Sequence, residues 1–61
     1  MNKADITIGH INKFVNLEEA EKAIFDPVKH FGYNLTANER SYCIAYARVL
    51  FALRAERGEY E

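Results

Sequence analysis

The sequence predicts an all-α domain of three to four helices, organised around one long helix over about 36–57. Three observations predict it. Thr36-Ala37-Asn38-Glu39 has the spacing of a capping box, in which the threonine hydroxyl accepts from the amide three residues on and the glutamate returns to the threonine amide. Gly58 stands where a helix of that length needs a left-handed stop. Upstream, apolar residues recur at helical intervals in two shorter segments, over about 7–15 and about 17–31.

In the first segment Ala4, Ile8, Ile11, Phe14 and Val15 fall on one side, and Asp5 or Thr7 is suited to cap it. The alternation Ile6-Thr7-Ile8 also admits a short extended piece, and Gly9 lowers helix propensity by about 1 kcal/mol against alanine. The second segment starts at Asn16, an N-cap followed by the acidic turn Glu18-Glu19, and carries Leu17, Ala20, Ile24, Val28 and Phe31 on one face. Pro27 interrupts it, either as a kink or as the first residue of a restarted helix with Asp26 as its cap. Gly32 ends it, and Gly32-Tyr33-Asn34-Leu35 turns the chain into the long helix.

On a wheel of 100° per residue the long helix is apolar on two sides. Tyr42, Tyr46, Val49, Leu50 and Leu53 form a wide stripe with Cys43 at its edge. Ile44, Ala47 and Phe51 form a narrower ridge beyond Arg40 and Arg54. A third strip of small residues, Ser41, Ala45, Ala52 and Ala55, surrounds Arg48. A helix apolar on more than one side is buried from more than one direction. The expectation is that the tyrosine stripe packs on the rest of the domain and that Ile44, Ala47, Arg48, Phe51, Ala52 and Arg54 meet a protein partner.

Size points the same way. A chain of 61 residues forms a single domain, and at that length the core comes close to break-even against conformational entropy. The single cysteine cannot form an internal disulfide, and no His, Cys and carboxylate cluster has metal-ligand spacing. Association, with a second copy as a homodimer or with another protein, is the expected source of added stability.

The formal charge of −1 and dispersed lysines and arginines do not give the basic face that phosphate attraction requires. A helix-turn-helix reading, with Asn38, Arg40 and Ser41 offered to base edges, therefore ranks behind protein binding. His10 and His30 have no placed nucleophile or carboxylate beside them and read as surface or helix-end residues. Cys43 reads as a small buried hydrophobe, and Arg48 as a side chain reaching solvent or anchoring an interface. No constellation for catalysis, cofactor, metal or small-molecule substrate emerges. Met1-Asn2-Lys3-Ala4-Asp5 has no signal-peptide pattern and no apolar run suits a membrane, so the expected location is cytoplasmic. Glu59-Tyr60-Glu61 is expected to fray.

Over about residues 11–50, through Leu17-Glu18-Glu19-Ala20-Glu21-Lys22 and His30-Phe31-Gly32-Tyr33-Asn34-Leu35-Thr36, the chain resembles the Hha/YmoA family of small enterobacterial modulators. The resemblance implies a short helical fold that binds the nucleoid-structuring protein H-NS and alters its silencing. The family's acidic position in the third helix falls near Arg48 and Val49 here, and its C-terminal tryptophan segment has no counterpart. All these residues point to a small non-enzymatic protein-binding regulator of bacterial or phage type.

Overall fold

The computed structural model describes residues 2–58. Four helices follow one another: α1 (Lys3–Ile11), α2 (Leu17–Phe25), α3 (Pro27–Phe31) and α4 (Ala37–Glu56). The expected fray at Glu59-Tyr60-Glu61 lies outside the described residues.

The capping box of α4 is complete. Thr36 Oγ1 accepts from the Glu39 amide at 3.1 Å, and Glu39 Oε1 accepts from the Thr36 amide at 2.9 Å. Arg57 is its C-cap, and Gly58 follows with φ 75°, which a glycine adopts without a Cβ penalty. Asn16 caps α2 by accepting from the Glu19 amide at 2.8 Å.

Two expectations for the N-terminal half need correction. Helix α1 begins earlier and ends earlier than 7–15, because the cap is Asn2, whose Oδ1 accepts from the Asp5 amide at 2.9 Å. Thr7 is therefore interior. Its hydroxyl donates to the Lys3 carbonyl at 2.7 Å, so its oxygen is left to accept from the Tyr33 hydroxyl at 2.8 Å. Phe14 and Val15 belong to the connection, not to α1.

At Pro27 the chain restarts instead of kinking. Asp26 adopts φ −133°, ψ 62°, and Pro27 opens α3, although the Asp26 side chain makes no capping bond. The restart takes α3 out of phase with α2, so Pro27 is buried and Val28 is exposed. Gly32 closes α3 in the left-handed region at φ 83°.

The core consists of Ala4 and Ile11 of α1, Ala20, Ala23 and Ile24 of α2, Leu35 of the turn, and Cys43, Ile44, Ala47 and Phe51 of α4. Alanines at Ala20, Ala23 and Ala47 let α1 and α2 approach α4 closely. Beside this core lies an aromatic column: Phe31 stacks on His10 at 5.1 Å and on Tyr33 at 5.7 Å, with Phe14 edge-on at 6.5 Å. It ties α3 and the turn to α1, with the Thr7–Tyr33 bond as its polar end.

Arg54 fastens the α1–α2 connection to α4. Its Nη1 and Nη2 donate to the carbonyls of Phe14 and Asn12 at 3.1 and 2.8 Å, and its guanidinium lies 5.0 Å from the centre of the Phe51 ring. Lysine cannot reproduce the planar fork. Arg54→Lys is expected to destabilise the domain by about 1.5–3 kcal/mol, since charge-assisted bonds are lost in exchange for one flexible ammonium. Urea unfolding followed by circular dichroism measures it.

Candidate functional site: the outward face of α4

Helix α4 spans the length of a body measuring 32 × 18 × 17 Å. The other helices are 9, 9 and 5 residues long. At 1.5 Å per residue, none of them covers more than about half of α4's length. Three short helices gathered on one side leave the opposite side of α4 open.

The buried side is the ridge expected to meet a partner. Ile44 and Ala47 are buried and Phe51 is 2% exposed, so none of the three is presented to another protein. The exposed side carries most of the stripe expected to be core: Tyr42 is 57%, Val49 60% and Leu53 42% exposed. The two apolar sides of α4 are thus exchanged relative to expectation. Tyr46 and Leu50 are half-buried at the boundary, where the Tyr46 hydroxyl donates to Asn12 Oδ1 at 3.2 Å.

The physical reason lies in the edges of the ridge. Arg54 is satisfied by carbonyls of the α1–α2 connection, while on the other edge Arg48 Nε donates to Glu21 Oε2 at 2.9 Å. The basic residues that flank the ridge in the sequence therefore clasp the neighbouring segments. Arg40, near the start of the same side, has a buried Nε without a hydrogen-bond partner among the described residues.

Of the other residues expected at an interface, Arg54 is engaged within the chain, and Ala52 is exposed. Arg48 is also exposed, and its ion pair with Glu21 contributes at most about 1 kcal/mol in water. Ala45 and Ala52 continue the open face beside Val49. Tyr42, Val49 and Leu53 were missed as surface residues. Their heptad-like spacing, with Tyr46 between Tyr42 and Val49, was the available signal.

Cys43 is a free, buried thiol whose Sγ lies 4.0 Å from the Ala4 carbonyl oxygen. Burial raises its pKa, and the Glu39 carboxylate adds to the rise. The folded state thus holds the thiol proton more tightly than the unfolded chain does. Stability from this group is fully present below the unfolded thiol's pKa of about 8.5 and is lost as pH rises beyond it. Wild type is expected to lose more stability than Cys43→Ala between about pH 8 and 10, as read from urea midpoints.

Among the described residues, no three His, Cys, Asp or Glu side chains come together to hold a metal ion, and no helix is long and apolar enough to cross a membrane. No family model, curated protein or solved structure matches the chain.

Proposed function

We propose that this chain is a small non-enzymatic protein-binding regulator that docks the outward face of α4 on a helix or apolar groove of another protein chain. The observation that carries it is the exposed row Tyr42, Val49 and Leu53, set on a helix whose opposite side already holds the core. Residues at such spacing engage grooves and partner helices through one face. A contiguous apolar patch on a small domain marks an interaction surface more often than scattered apolar residues do.

The bacterial or phage setting, a cytoplasmic location and a role in modulating a nucleoid protein are part of the same proposal. Support for them comes from the Hha/YmoA-like stretch and the ordinary charge balance. Affinity capture from a nuclease-treated bacterial lysate, with wild type and Val49→Asp as paired baits, tests the docking surface. Proteins retained by wild type and lost with Val49→Asp support the reading; identical protein sets from the two baits contradict it.

A further inference from the structure

Resting on the docking reading above, we infer that the outward face of α4 is built to pair with a second copy of itself, in antiparallel orientation. The bulky Tyr42, with the half-buried Tyr46 at the boundary of the face, lies toward the N-terminal half of α4, and the aliphatic Val49 and Leu53 toward the C-terminal half. Antiparallel pairing about a two-fold axis sets Tyr42 against the second copy's Leu53 and Tyr46 against its Val49, so each ring meets an aliphatic side chain. Parallel pairing instead sets ring against ring and Glu56 against Glu56.

Charges at the ends of the face select the same arrangement. Glu39 and Arg57 lie about five turns apart, and hence on the same edge of the helix. In an isologous antiparallel pair an edge faces its own copy, reversed end for end. Glu39 then meets the second copy's Arg57 at both ends of the contact. One Glu39 oxygen serves the capping box, and a carboxylate has a second to offer. Asn38 lies opposite the second copy's Glu56, to which its amide can donate. On the other edge Ala45 and Ala52 are small and exposed, which allows the two helices to approach closely.

The area sets the strength. The open parts of Tyr42, Val49 and Leu53 with the two alanines come to roughly 400 Å², the scale of the largest patch on an ordinary monomer. Two such faces bury about 800 Å², short of the ~1,200 Å² of a standard stable complex, so the pair belongs with weak, reversible contacts.

Sedimentation equilibrium of the full chain from about 1 μM to about 1 mM is the test. A monomer–dimer transition without larger species is expected, with Val49→Asp weakening it about thirty-fold or more. Leu53→Lys serves as a second variant should Val49→Asp lose its helical circular dichroism. In a Cys43→Ala background, Tyr42→Cys mixed with Leu53→Cys should give the mixed disulfide under oxidation. Tyr42→Cys alone should not link, because antiparallel pairing leaves its two copies about 16 Å apart along the axis. A monomer throughout overturns self-pairing and leaves docking on a different protein in place. A dimer indifferent to Val49→Asp and Leu53→Lys overturns it by putting the contact elsewhere, and self-linked Tyr42→Cys overturns the antiparallel orientation. Docking itself fails separately, when those substitutions change neither self-association nor protein capture.

Discussion

Replacing Phe51 with alanine is expected to leave much of the chain unfolded at 25 °C. The ring is 2% exposed, packs in the centre of the α1–α2–α4 core, and supports the Arg54 guanidinium above it. Truncating a buried phenylalanine removes about 3–5 kcal/mol through lost burial and the cavity left behind. A domain of this length has a total stability of only about 3–9 kcal/mol. The substitution therefore removes a third or more of it, and at the lower end all of it. Urea titration followed at 222 nm should show a midpoint displaced to very low denaturant or no folded baseline. A shift of less than about 1 kcal/mol would place Phe51 outside the core.

The second large effect is expected at Val49 and has the opposite character. Val49→Asp puts a carboxylate at the middle of the open face, where the side chain is 60% exposed, so the fold should change by no more than about 1 kcal/mol. Association through that face, by contrast, would desolvate the new charge without a partner. Loss of at least ~2 kcal/mol, about thirty-fold in affinity, is the expected result for a charge placed at the centre of an interface. The two substitutions separate the sides of one helix: Phe51→Ala removes folding, and Val49→Asp removes binding while folding persists. Isothermal titration or sedimentation with Val49→Asp, beside a thermal melt of the same sample, reads both quantities.

Local chemistry made most of the helices legible in the sequence. The Thr36–Glu39 box, the Asn16 cap and the glycines at 32 and 58 act through bonds within a few residues, and each element they mark is present. Asn2 was overlooked as the cap of α1 because Asp5 and Thr7, both good capping types, stand closer to the apolar run. The choice between kink and restart at Pro27 depends on where α3 finds contacts, and Phe31 finds one on His10, far off in sequence, besides the one on Tyr33 in the turn that follows.

The candidate site was less legible for a related reason. A wheel shows that α4 has two apolar sides without showing which is inward. The wide stripe contains more large side chains, whereas the narrow ridge sets the small Ala47 between Ile44 and Phe51, with Cys43 buried beside it, and so lets α1 and α2 approach. Close approach at Ala47 lets Ile44 and Phe51 on either side of it fill the space between the helices, which adds many van der Waals contacts. Arg48 and Arg54 appeared to mark an outward side, yet each finds its acceptor on a neighbouring segment. Those acceptors, two of them backbone carbonyls, carry no signature in the sequence.

The assignment of the two sides of α4 is tested most directly by solvent relaxation enhancement from a soluble paramagnetic probe, recorded by NMR on dilute wild-type protein. Strong broadening is expected at the Val49 and Leu53 methyls and the Tyr42 ring, with the Ile44 methyls and the Phe51 ring protected. Raising the concentration should then protect Val49 and Tyr42 in turn. Protection of Val49 and Tyr42 at high dilution, with broadening at Ile44 and Phe51, would reverse the helix and contradict both the core and the docking face described for this protein.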